Sequence, residues 1–201
     1  MKKGLILVLA IVMVVCISIS ATLAYLFVET TPVKNTFEYG DINIELKEHK
    51  YVDGKLTNEE VTANTSYKVV PGVSEDKDPF VRVRKGSEKC YIYVTVENSV
   101  KLDDGTVVAS VNINTTDWVK VAASGDITLY RYKDVVDVSD ATEDIELPVF
   151  TTVTYDAEKI LKDNIAQVKD DTITVIAYAY QATNVEQSYA DTAVKTMADI
   201  S

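Results

Sequence analysis

Residues 90–97 read CYIYVTVE, and their alternation decides the fold class. Cys90, Ile92, Val94 and Val96 fall on one side of an extended chain, and Tyr91, Tyr93, Thr95 and Glu97 on the other. A period of two with β-branched and aromatic residues is the signature of a strand with at least one buried face. The same period recurs on either side. DINIEL (41–46) sets Ile42, Ile44 and Leu46 against Asn43 and Glu45, and FVRVR (80–84) alternates Val81 and Val83 with Arg82 and Arg84. TVVASVNI, DWVKVA, ITLYRYK, ELPVFTTVTY and TITVIAYAYQA are further runs of this kind. Asp53-Gly54 and Asp104-Gly105 suit tight hairpins because both residue types tolerate positive φ. Pro71-Gly72 and Ser124-Gly125-Asp126 punctuate the chain similarly. Roughly eight to ten strands at this spacing predict an all-β sandwich or barrel.

Two segments change period. In 156–169, Leu161, Ile165 and Val168 stand at helical spacing behind Asp156, an N-cap candidate, which predicts a short amphipathic helix. In 184–200, Tyr189, Ala193, Met197 and Ile200 form a stripe behind Asn184 and Gln187, which resemble a capping box, and a C-terminal helix is expected.

The N-terminus is of another kind. Met1-Lys2-Lys3 precedes 4–28, which carries no charged side chain. That run is long enough to span a bilayer, which takes about 20 apolar residues. It also has the parts of a secretory signal: a basic start, an apolar middle, and Thr22 and Ala24 as the small residues before a cut. The favoured reading is a signal peptide over 1–24, leaving Tyr25 as the new N-terminus. A retained anchor and a lipoprotein are the alternatives. Cys16 follows Val14-Val15, where a lipidation site takes a small residue, and reads as apolar filler.

The 201 residues carry a formal charge of −11. Loss of Lys2 and Lys3 with the leader leaves 18 basic against 31 acidic residues, or −13. Nucleic acid requires a basic face and is excluded as a partner. Adhesion to anionic lipid is disfavoured in the same way. Cys90 is then the single cysteine, so no intramolecular disulfide forms and stability comes from the core. In phase with Ile92 and Val94, Cys90 is expected to be a buried, inert thiol.

Sites of chemistry are scarce. His49 is the only histidine, which excludes the two-histidine zinc motif of metalloproteases. It is expected in an exposed strand end or loop. Glu75-Asp76-Asp78, Asp103-Asp104 and Asp134-Asp137-Asp140 do not match the glycine-broken calcium loop and read as solvated turns, with an adventitious calcium site as the alternative. Tyr91 with Tyr93, and Tyr178 with Tyr180, read as cross-strand packing, with a sugar-binding platform as the alternative. There is no glycine-rich phosphate loop and no Gly-x-Ser-x-Gly elbow. No cofactor or metal is expected, and the chain is read as a structural or binding protein and not an enzyme.

The stretch ATLAYLFVETTPVKNTFEYGDINIELKE (21–48) resembles the start of the TasA and camelysin family of SipW-dependent secreted biofilm matrix proteins from Gram-positive bacteria. The matching residues are Thr22, Ala24, Tyr25, Asn35, Thr36, Phe37, Gly40, Ile42, Ile44 and Leu46. A second unit, VVPGVSEDKDPFVRVRKGSEKCYIYVTVEN (69–98), is similar to the family at Pro71, Gly72, Lys77, Asp78, Pro79, Gly86, Tyr91 and Val94. It departs where Arg84-Lys85-Gly86 stands in place of Asn-x-Gly. ITVIAYAYQATN resembles the family's last core strand. The resemblance covers both ends of the mature domain and not 103–144.

The resemblance implies a jelly-roll-like β-sandwich over 37–201, a SipW-type signal peptidase as processing partner, and secretion to the extracellular matrix or cell surface. It also implies head-to-tail self-polymerisation into fibres by donor-strand exchange, with accessory matrix proteins as further partners. On this resemblance Tyr25, Leu26, Phe27 and Val28 are expected to form the apolar donor strand, within a segment and linker over 25–36. A camelysin-like surface metalloprotease and a monomeric adhesin are the rival readings, and the single histidine gives the first no support.

Overall fold

The computed structural model describes residues 41–64, 69–168 and 171–200, all within the compact unit Gly40–Ser201. Among these residues there are eleven strands: β1 (Ile44–Val52), β2 (Lys55–Val61), β3 (Ser74–Asp76), β4 (Phe80–Val83), β5 (Cys90–Asn98), β6 (Ala109–Val111), β7 (Trp118–Ser124), β8 (Ile127–Tyr132), β9 (Ile145–Pro148), β10 (Thr152–Tyr155) and β11 (Ile173–Gln181). One α-helix follows, α1 (Gln187–Met197). Every strand pair is antiparallel, in sheets ordered β2-β1-β4-β9, β3-β10-β6 and β11-β5-β8-β7. The fold is an all-β sandwich.

Strand β5 is central to it. Cys90, Ile92, Val94 and Val96 enter the main core with Val81 and Val83 of β4, Val153 and Tyr155 of β10, and Trp118. Each fully buried aliphatic side chain contributes about 1.5–3 kcal/mol. Trp118 is anchored twice: its indole N–H donates to the Pro148 carbonyl at 2.8 Å, and its ring meets Tyr132 edge-on. The other face of β5 is covered as well. Tyr91 and Tyr93 pack with Leu129 under Ala190 and Val194 of α1 and Ile200 beyond it. At the β1–β2 hairpin both central residues take positive φ, Asp53 at 50° and Gly54 at 84°. This is the primed turn whose twist matches that of the flanking strands.

The outer face of the first sheet carries a charge ladder. Arg82 bonds Glu60 of β2 and Glu146 of β9, each at 2.5 Å. Arg84 bonds Glu45 at 2.8 Å and Asp144 at 2.6 Å. Hydrogen bonds from Arg82 hold the Glu60 carboxyl below its ordinary value of 4.5. A carboxylate with a depressed folded-state pKa contributes stability that is complete above the unfolded value and disappears as pH falls through the folded one. Arg82→Met is therefore expected to lower the urea midpoint at pH 7, with the gap from the parent closing below pH 4.5. Parallel urea titrations at pH 7 and pH 3 check this, and a gap of equal size at both would refute it.

Several sequence expectations need correction. No α-helix forms over 156–168. The Asp156 carboxylate does accept the amides of Glu158 and Lys159, at 2.9 and 3.3 Å, but one turn later the Asn164 side chain takes the Leu161 amide at 2.7 Å. A side chain competing for backbone groups in this way ends a helix. A short 3-10 turn, Ile165–Val168, is what remains. Leu161 points outward and Ile160 is buried in its place. The C-terminal helix exists, but Glu186 occupies its N-cap position without a side-chain bond, and Asn184 stands before it at φ 58°. The Asn184–Gln187 capping box does not form. Ile200 is buried as the stripe predicts, but Ala190 and Val194 face the sheet in place of Tyr189 and Met197, and those two face solvent. The long run ELPVFTTVTY is two strands, because Val149 and Phe150 turn into the core between β9 and β10.

Candidate functional site

His49 does not lie in an exposed loop. It sits within β1, about one third exposed, because that strand continues well past the alternating DINIEL stretch. Its Nδ1 is 2.7 Å from Asp78 Oδ2, its amide donates to Asp78 Oδ1 at 3.0 Å, and its ring packs on Phe80. The acidic clusters are engaged in the same piecemeal way. Glu75 accepts from the Tyr51 hydroxyl, Asp104 from the Thr106 amide, and Asp137 from Ser139 and Lys89. The hydrogen bond it donates to Glu75, together with burial, pushes the Tyr51 hydroxyl up to about 12. Among the described residues no three His, Cys, Asp or Glu side chains are placed to hold a metal ion. No described helix is long and apolar enough to cross a membrane.

Cys90 is completely buried and unbridged. Burial, with a smaller effect from Asp137, pushes its thiol up to about 11, so almost no thiolate is present at neutral pH. Cys90→Ser is expected to leave the fold and any self-assembly intact. The loss of stability should be about 1–3 kcal/mol, for placing a hydroxyl in an apolar site. In the chain beginning at Tyr25, whose single cysteine is Cys90, a thiol reagent should label only after denaturation. Rapid labelling of the native protein, or a disulfide-linked dimer, would contradict this.

The tyrosine pairs meet as cross-strand neighbours, Tyr178 opposite Tyr93 and Tyr180 opposite Tyr91. Tyr91 and Tyr93 are buried beneath α1, so these two present no open platform.

The feature with a binding geometry is the edge of the third sheet. Strand β11 pairs with β5 through all nine residues from Ile173 to Gln181, and among the described residues no strand pairs along its other side. Exposed edges are normally blunted by a charge, a proline or a bulge. The opposite edge of this sheet, β7, has such an irregularity between Lys120 and Ala122. Strand β11 has no register shift, no proline and no charged residue.

Beside its first residues lies a groove of about 610 Å³, lined by Leu46, Val69, Val153, Tyr155, Val168 and Val175 among others. The largely buried Glu48–Lys77 pair, at 2.5 Å, stands in its wall. Strand β1 comes within 8 Å (Cα–Cα) of β11 without pairing to it. A strand inserted between two others holds them about 9.5 Å apart, twice the usual spacing. Full insertion here therefore requires β1 and β11 to part by at least about 1.5 Å at their closest approach.

Thr22, Ala24, Tyr25, Leu26, Phe27 and Val28, with the segments 1–24 and 25–36, lie outside the described residues. Sequence reasoning did not single out β11 as an edge. The signal was present in the uncharged, proline-free run ITVIAYAYQ, although an uncharged run reads equally well as a central strand.

The fold is that of an all-β sandwich, and among the described residues the β11 edge carries no charge, proline or bulge to protect it. No protein-family model, curated protein or solved structure matches the chain.

Proposed function

We propose that the chain is a secreted structural subunit that polymerises head to tail into extracellular matrix fibres. Cleavage after Ala24 by a SipW-type peptidase frees the segment 25–33, and this segment adds as a strand to β11 of the next subunit. The supporting observation is the unblunted β11 edge, unpaired among the described residues, whose nine residues match the nine of segment 25–33 in number. Main-chain pairing supplies affinity in such strand addition, and pockets for alternate side chains supply specificity. A head-to-tail contact that does not close gives a filament. The chain on this reading is not an enzyme, needs no cofactor, and has itself and accessory matrix proteins as partners.

Negative-stain microscopy of the purified chain beginning at Tyr25, beside a casein-cleavage assay with and without chelator, tests the proposal. Fibres without cleavage are expected. Chelator-sensitive cleavage would favour a surface metalloprotease, and neither activity would favour a monomeric adhesin. Mass analysis of the protein recovered from culture medium should give Tyr25 as the first residue. An intact Met1 would favour a retained anchor.

A further inference from the structure

Strand β11 presents its outward side chains beside helix α1, and the two together form an apolar shelf along the open edge. Ile173, Val175, Ala177 and Ala179 point into the main core, which leaves Ile176, Tyr178 and Tyr180 on the helix side. Tyr189 of α1 meets Tyr180 edge-on, with ring centroids 6.3 Å apart. Eight residues of helix separate Tyr189 from Met197, a rise of about 12 Å. Four residues of strand separate Tyr180 from Ile176, a rise of about 13 Å. The chain reverses between β11 and α1, and Asp191 reaches the Tyr93 hydroxyl while Tyr93 stands opposite Tyr178, so the helix runs back along the strand. Met197 is thereby carried to the level of Ile176.

Among the described residues nothing covers this row. Ile176 is 48 % exposed, Tyr189 64 % and Met197 60 %, and Ile176 lies on the strand that has β5 as its only pairing partner among the described residues. Apolar side chains grouped on a surface mark an interaction site more often than the same residues scattered singly.

We infer that this shelf reads the aromatic side chains of the incoming strand, Tyr25 and Phe27 of a second copy. The inference rests on the donor-strand reading above. In a strand laid along β11, residues two apart share a face. Tyr25 and Phe27 thus face one way and Leu26 and Val28 the other. The inner side is lined by small and aliphatic groups, Ala177 and Val175 from β11 with Leu46 and Val153 across the groove, and it suits Leu26 and Val28. The outer shelf is aromatic and open to water at its rim, which accommodates two rings and lets the Tyr25 hydroxyl stay hydrated. Helix α1, which no strand-addition mechanism requires, becomes the element that sets sequence preference for the donor.

The test is elongation kinetics, by light scattering, of chains beginning at Tyr25. The double variant Tyr189→Ala with Met197→Ala should elongate at least tenfold more slowly at an unchanged thermal midpoint. Phe27→Ala should slow elongation to a similar degree, and the triple variant should be no slower than either, because the groups act as one contact. Leu26→Ala should add its full effect on top of the shelf variants. Ile176→Lys, on the strand itself, provides a second probe if the helix variants lower the midpoint. Parent-like elongation in both the helix variants and Ile176→Lys would overturn the shelf and leave strand addition standing. A parent chain that never forms fibres would remove both.

Discussion

Replacing Asp191 with alanine is expected to lower the stability of the sandwich by about 3 kcal/mol, the lower part of the range for breaking a buried ion pair. Asp191 Oδ1 accepts from Arg131 Nε at 3.0 Å and from the Tyr93 hydroxyl at 2.8 Å. The Arg131 side chain is only 9 % exposed, whereas Asp191 retains 22 % exposure. Removing the carboxylate leaves a guanidinium beneath α1 without its ionic partner, and water reaches the carboxylate side more easily than the arginine side. That asymmetry is why the lower part of the range applies. Burial, followed by the bond to Asp191, raises the Tyr93 hydroxyl well above its ordinary value, so at neutral pH it remains a neutral donor to the carboxylate.

The helix supplies few apolar contacts of its own, mainly Ala190 and Val194, and an isolated helix of eleven residues is marginal in water. Its attachment therefore depends on this polar cluster more than on area. Tyr93→Phe, which keeps the ring and removes one hydrogen bond, should lower stability by only about 1 kcal/mol. Thermal unfolding should show a fall of roughly 6–12 °C for Asp191→Ala, from about 2–4 °C per kcal/mol in a domain of this size. Hydrogen exchange should report loss of protection first in 187–197. A midpoint within 2 °C of the parent would mean that the helix is held by packing alone.

What could be read from the sequence followed the physics of side-chain period. The strands with strict alternation, β4 and β5, are where FVRV and CYIYVTVE place them, and Cys90 is buried because its neighbours in phase are Ile92 and Val94. The polar strand β2, KLTNEEV, has no apolar face to announce it. It exists because the Asp53-Gly54 turn returns the chain against β1 and because Arg82 holds Glu60.

Helical period misled at both ends of the last strand. Leu161 and Ile160 are adjacent, and which one is buried was decided by the Asn164 side chain taking the Leu161 amide, a local competition that periodicity does not detect. In α1 the small residue Ala190 faces the crowded tyrosines of β5, while the larger Tyr189 and Met197 remain outside. A hydrophobicity stripe ranks those residues in the opposite order, because it values size where the close approach of helix to sheet demands smallness. The acidic partners of His49 and Arg131 are distant in sequence, 29 and 60 residues away, and no local pattern announces them.

Deleting 25–33 is expected to abolish fibre formation while leaving the sandwich folded. Every strand of the described sandwich begins at Ile44 or later, so the deletion removes none of its ladder. The deleted segment contains Tyr25, Leu26, Phe27 and Val28, and burying each in a neighbouring subunit would contribute on the order of 1.5–3 kcal/mol. Pairing along β11 adds roughly 0.5–1.5 kcal/mol for each main-chain hydrogen bond. Against these stand the loss of translational freedom, about 4–15 kcal/mol, and the ordering of a tail. Parting β1 from β11 adds to the opposing side. The balance favours assembly only while the strand is complete, so truncation should eliminate polymerisation instead of weakening it in proportion. Sedimentation should show the deleted chain as a monomer with the far-ultraviolet dichroism of the parent. Added in excess to the chain beginning at Tyr25, a free peptide of residues 25–33 should occupy β11 and suppress elongation. Fibres of normal appearance from the deleted chain would sink the donor-strand mechanism. The sandwich itself would stand after that result, because the described strands β4, β5 and β10 pair with β1, β9, β8, β11, β3 and β6 and share a core with Trp118.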